Sequence, residues 1–153
     1  MKNVTLIQGT FQDYPTTVDK FDIIISHNSI NHLDEIACIN LLKDDYSKAK
    51  YREIFKKLSD AAKQNAELII CDCSRYNFFA SMKIRNPFSP TIEWHKHQTP
   101  ETWSKMLEEA GFAVSGIRWK NNDKGIYMNK IFAVSKVKSF FLHSHFCIHA
   151  TKI

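Results

Sequence analysis

The chain has 153 residues, 44% of them hydrophobic and 24% charged, with a formal net charge of +5. This balance excludes a disordered chain and gives one domain with a core of its own, too short for two ordinary domains. The mild basicity suits an anionic ligand or a nucleic acid without selecting either, because 16 acids are interspersed among 21 Lys and Arg. No apolar run approaches a membrane span, and residues 1–8 have no apolar h-region, so neither a membrane partner nor a signal peptide is expected.

In chain order, residues 4–7 (Val-Thr-Leu-Ile) read as a short strand, followed by Gly9-Thr10-Phe11 and a turn at Tyr14-Pro15-Thr16-Thr17. Residues 21–26 run through Ile23, Ile24 and Ile25 and read as a buried parallel strand. That strand ends in Ser26, His27, Asn28, Ser29, Asn31 and His32, and open α/β sheets bind ligands past the carboxyl ends of their strands. Asp34 can cap a short helix over 35–42, with Ile36, Ile39 and Leu42 on one face. Asp44 or Asp45 starts a longer helix to about residue 64, with Tyr51, Ile54, Phe55, Leu58, Ala61 and Ala62 at helical spacing. Its other face carries Lys48, Lys50, Arg52, Lys56 and Lys57, which is ordinarily a solvated face.

Residues 67–71 form a second buried-type strand that ends in Asp72, Cys73, Ser74 and Arg75. A long connection over 75–98 follows, with Pro87, Pro90, many aromatics and a helical turn at 78–84. Thr99 as cap and Pro100 as first helical residue open a helix with Trp103, Met106, Leu107 and Ala110 on the core side, closed by Gly111. Residues 112–119 form a strand, 121–125 a turn, and 139–151 a final strand. Alternating strands and helices with polar strand ends predict an α/β fold with a parallel sheet, in a single domain over 1–153. Cys71 and Cys73 stand two apart in a strand, which suits neither a CxxC pair nor a disulfide framework, so reduced thiols and a cytoplasmic protein are expected.

On these pieces the chain resembles the class I S-adenosylmethionine-dependent methyltransferases. Val4-Thr5-Leu6-Ile7-Gln8-Gly9-Thr10-Phe11 looks like the third strand and adenine-contacting turn, and Phe21-Asp22-Ile23-Ile24-Ile25-Ser26-His27-Asn28 like the fourth strand beside the methyl donor. Residues 58–72 look like the next helix and fifth strand, residues 99–112 like the helix before the sixth, and residues 139–151 like the antiparallel seventh. The resemblance implies a Rossmann-like methyltransferase sheet, S-adenosyl-L-methionine as cofactor, and donor contacts at Gly9, Thr10, Phe11, Ser26, His27 and Asn28. The family's Gly-rich donor loop has no counterpart: there are four glycines, Gly9, Gly111, Gly116 and Gly125, and no Gly-x-Gly. Thr10 stands where many members carry an acid. The expectation is therefore the C-terminal portion of such a domain, with impaired donor binding. The strand over 21–26 would have an open edge, filled by residues 4–7 or by another chain through self-association.

Methyl transfer needs positioning, and a base where the acceptor loses a proton. His32 is the candidate base and Asn28 its catalytic neighbour, with a capping or packing role as the bland reading of each. Asp72, Arg75, Trp94, His95 and His97 are candidate substrate-binding residues, with turn capping or packing as the alternative. Neither a Pro-Pro-aromatic motif after the fourth strand nor a Pro-Cys nucleophile is present, so the resemblance points to a small-molecule acceptor rather than nucleic acid. His143, His145, Cys147 and His149 alternate on one strand face, but ligands on a flat strand stand about 6.5–7 Å apart, so no metal site is assigned. Two other readings stand beside the enzyme: a non-catalytic α/β interaction module using the exposed sheet edge, and a basic nucleic-acid-binding domain.

Overall fold

The computed structural model describes residues 4–16, 20–120 and 136–153. Among these residues four strands form one sheet: β1 (Phe21–His27), β2 (Ala62–Cys73), β3 (Phe112–Lys120) and β4 (His145–Lys152), in the order β1-β2-β4-β3. β1 pairs in parallel with β2, while β4 runs antiparallel between β2 and β3. The expected incomplete Rossmann-like α/β sheet with a C-terminal antiparallel strand is what the chain forms.

The helices are α1 (Glu35–Asn40), α2 (Asp45–Ala61), α3 (Phe78–Ser81), α4 (Pro100–Glu109) and α5 (Lys136–Phe141). Local capping sets four of their starts, and at α3 the Asn77 side chain accepts from the Phe79 N–H. Asp34 accepts from the Ala37 N–H, Asp44 from the Ser47 N–H, and Thr99 from the Thr102 N–H ahead of Pro100. Gly111 closes α4 at φ +88°, a left-handed conformation that other residues adopt at a cost. Tyr51, Phe55 and Leu58 of α2 and Trp103 and Leu107 of α4 meet Leu68, Ile70, Phe146 and Ile148 of the sheet in one buried cluster. Trp103 is fully enclosed, its ring 4.9 Å from Tyr51 and 5.7 Å from Phe55 between centroids.

Several expectations are corrected. Residues 4–7 form no strand; Val4, Leu6 and Ile7 are exposed, because a strand exists only as part of a ladder and this segment has joined none. They are not remote, however: Ile7 lines an apolar groove with Phe21, Ile23 and Ile25. β1 is not buried on both faces, since Ile23 is 56% and Ile25 65% exposed while Ile24 faces the helices. α1 turns a different face inward: Ala37 and Cys38 are buried, as is Leu41 just beyond it, while Ile36 and Leu42 lie outside, so helical spacing marked a stripe but not its partner. The final strand begins at His145, because residues 136–141 are helical and Ser144 (φ 50°) reverses the chain. The turn expected at 121–125 lies outside the described residues.

The reduced-thiol expectation fails for Cys71 and Cys147. Antiparallel pairing of β2 with β4 sets them directly opposite one another, and they form a disulfide. Cys38 and Cys73 are free and buried. The thiol argument for a cytoplasmic location falls with that pair. No described helix is long and apolar enough to cross a membrane.

Two outcomes follow. Thiol titration of the unfolded, unreduced protein should find the two free cysteines, Cys38 and Cys73; four reactive thiols would show β2 and β4 unlinked. Trp103→Ala should lower unfolding free energy by about 3–5 kcal/mol in urea melts, the cost of emptying a fully packed aromatic site.

Candidate functional site

The polar residues past β1 and β2 converge on one buried amide, Asn31, in the 3-10 turn Ile30–His32. Its Oδ1 accepts the Gln98 N–H at 2.9 Å and faces the Cys38 thiol at 3.7 Å. Its Nδ2 must then donate, and it does so to the Cys73 carbonyl at 3.3 Å and to His97 Nδ1 at 3.0 Å. The amide orientation thereby assigns the His97 tautomer: Nδ1 accepts, so the proton sits on Nε2. Gln98 continues the network by donating to the Cys38 carbonyl and accepting from Arg75 at 3.3 Å.

Asp72 lies at the carboxyl end of β2, 1% exposed. One carboxylate oxygen accepts the Cys73 N–H at 2.7 Å, and the other is buried without a hydrogen-bond partner among the described residues. The same oxygen that meets Cys73 lies 3.7 Å from His97 Nδ1, a through-space contact too long for a hydrogen bond. Burial pushes the carboxyl up, but the hydrogen-bonding groups around it, the Cys73 N–H among them, outweigh it and hold it below its ordinary value. Burial also raises the Cys38 and Cys73 thiols to about 12, which removes both as nucleophiles at neutral pH.

His32 stands above this network, its ring edge-on to His97 at 5.6 Å between centroids. Its Nδ1 lies 2.8 Å from Glu35 Oε1 at the start of α1. A carboxylate only accepts, so Nδ1 carries the proton and Nε2 is the lone-pair nitrogen, the arrangement of an oriented general base. Glu35 is held below its ordinary pKa by this contact first and by Lys96 second. Lys96 also reaches Glu93, at 2.8 Å.

Of the residues expected here, His32, Asp72, Arg75 and His97 come together around Asn31. Trp94 is half-buried with its ring 6.5 Å from His97, and His95 is exposed. Asn28 is exposed at φ 50° and donates its backbone N–H to the Cys71 carbonyl at 2.8 Å, so it marks the point where β1 breaks. Ser26 Oγ is 2.8 Å from Ser29 Oγ, and His27 is exposed. Gly9, Thr10 and Phe11 belong to a separate feature, an open groove of ≈ 430 Å³ along the free edge of β1, where Phe11 also packs against the core. The sequence placed Asn31 in the polar cluster after residue 25 without giving it a role, and Gln98 and Glu35 were not named as site residues; an acid three residues after His32 was the trace of Glu35.

A family profile described as "Methyltransferase domain" matches residues 1–111. No match was found among curated proteins. Among solved structures, the chain resembles a SAM-dependent methyltransferase from Archaeoglobus fulgidus at 14% identity and TM-score 0.61, covering 99% of this chain and 69% of that one. It resembles an S-adenosylmethionine-dependent methyltransferase from Mesorhizobium loti at 12% identity and TM-score 0.56, covering 94% and 67%. The [4+2]-cyclase SpnF is similar at 12% identity and TM-score 0.55, covering 94% of this chain and 54% of that one, so the shared fold does not by itself fix the reaction. With nearly three quarters of its length matched by the family profile, the chain belongs to the methyltransferase domain family.

Proposed function

We propose that the chain serves S-adenosyl-L-methionine-dependent methyl transfer to a small-molecule acceptor. The observation that carries this reading is the His32–Glu35 pair beside the Asn31 network at the ends of β1 and β2, in a chain of the methyltransferase domain family. His32 Nε2 takes the acceptor's proton, and Glu35 orients the ring and stabilises its charged form. Asn28 positions the reacting groups at the break after β1. Asp72, Arg75, Trp94, His95 and His97 bind the acceptor; the unpartnered buried oxygen of Asp72 suits an acceptor with an N–H or O–H donor.

The residues fit part of the donor. The apolar groove lined by Gly9, Thr10, Phe11, Phe21 and Ile23–Ile25 suits a flat ring such as adenine, and Ser26, His27 and Asn28 follow at the end of the same strand. No Gly-x-Gly is present for the methionine end. When bound, the donor supplies an electrophilic sulfonium methyl. Binding by this chain alone is correspondingly weak.

The free edge of β1 supports a second reading, an interaction module that self-associates by strand pairing, since Ile23 and Ile25 stand exposed beside it. It predicts a concentration-dependent dimer in light scattering that Ile25→Lys abolishes; a strict monomer at every concentration removes it.

Calorimetric titration of S-adenosylmethionine into the 153-residue chain should give a dissociation constant well above micromolar, weakened further by Phe11→Ala. Micromolar affinity would overturn the impairment, and no binding at all would overturn donor use by this chain. In a label-transfer screen over small amines and hydroxyl compounds, His32→Gln should slow transfer about 10²-fold with donor affinity unchanged. An unaltered rate would remove His32 as the base.

A further inference from the structure

Residues 73–92 and 136–153 contain no Asp or Glu. The fold packs these two acid-free stretches together where β2 leaves the sheet and β4 enters it. The buried Asn77 donates to the carbonyls of Phe140 and Leu142 and to the Ser144 hydroxyl, and the buried Asn86 donates to Leu142 O. A chain of rings crosses the junction: Phe88 lies 6.1 Å from Phe79, Phe79 5.3 Å from Phe78, and Phe78 5.0 Å from Phe141.

The polar contacts of Asn77 and Asn86 order this loop, and many of its apolar side chains stay outside. Met82 is 59% exposed, Ile84 54%, Phe88 54% and Phe141 45%. Lys83 and Arg85 are exposed between and beside them. Lys136 is excluded from the count of available cations, because its ammonium lies 2.7 Å from Glu101. Apolar exposure of this density marks a surface that meets something, and the cations set the sign of its partner.

We propose that this surface docks on a membrane bearing anionic headgroups, with Met82, Ile84, Phe88 and Phe141 entering the acyl boundary and Lys83 and Arg85 at headgroup level. Flexible aliphatic side chains gain by entering hydrocarbon, whereas Met82 and Ile84 offer a nucleic-acid base no ring to stack on. An acid-free surface also avoids repulsion from the negative potential of such a membrane. Peripheral docking needs no spanning helix, so the missing apolar span does not oppose it. The proposal is independent of methyl transfer, although the surface lies at the same end of β2 as Asp72.

Co-sedimentation of the full 153-residue chain with phosphatidylcholine vesicles, with and without phosphatidylglycerol, tests it. Binding is expected only with phosphatidylglycerol and should weaken with salt. A Met82→Ser, Ile84→Ser double variant and, separately, Arg85→Glu should each lower the partition coefficient at least about tenfold, with circular dichroism and melting temperature unchanged. Absence of binding to the anionic vesicles overturns the proposal. So does a partition coefficient that the apolar double variant leaves unmoved, or an RNA that binds at the same residues more tightly than the vesicles do.

Discussion

The amide of Asn31 is the point on which the site depends. From the 3-10 turn after β1 its four contacts reach three other pieces of chain, the end of β2, the segment before α4, and α1, the first two of them 42 and 66–67 residues away in sequence. A buried amide is stable only when its groups are paired, and each group left unpaired costs about 1–3 kcal/mol. The loops therefore have one arrangement in which the amide is satisfied, and that arrangement sets the His97 tautomer and seats the ring under His32. Tyr51 reinforces the same region from α2 by donating its hydroxyl to the Ile30 carbonyl at 2.9 Å.

The two faces of the sheet differ. On the helix side Leu68, Ile70, Phe146 and Ile148 are sealed by α2 and α4. On the other side Ile23 and Ile25 stand open, and the Cys71–Cys147 disulfide crosses from β2 to β4. The alternation of β4 reflects this division: Phe146, Ile148 and Ala150 are buried, and His145, Cys147 and His149 are half-buried. The buried polar groups of this scaffold are concentrated at one end, where β1 and β2 stop and irregular backbone supplies them. The partnerless oxygen of Asp72 and the exposed rings beside α3 and α5 lie at that end.

The long helices were legible because their signals are local. Asp44, Thr99, Pro100 and Gly111 act within one turn of themselves, and the spacing of Tyr51, Ile54, Phe55 and Leu58 needs only the helical repeat. The polar strand ends were legible for the same reason, which is why His32 and Asp72 could be named as candidates, while His97 was named from its place just before the helix that opens at Pro100. Asn31, Gln98 and Glu35 were not, since an amide in a short polar run is indistinguishable from a solvated one until its partners arrive. Segment 4–7 illustrates the converse: β-type residues without a neighbouring strand remain irregular.

The sequence by itself determined the α/β character of the chain, the caps and core faces of α2 and α4, the strands through Ile24 and Leu68, and the polar clusters at their ends. All of these rest on interactions within a few residues or on side-chain periodicity. Only the tertiary structure decided which face of α1 is buried, that β4 starts at His145, that Cys71 meets Cys147 across 76 residues of sequence, and that Asn31 is the centre of the site. Those outcomes depend on strand register and on contacts between remote segments, and no local rule of spacing encodes them.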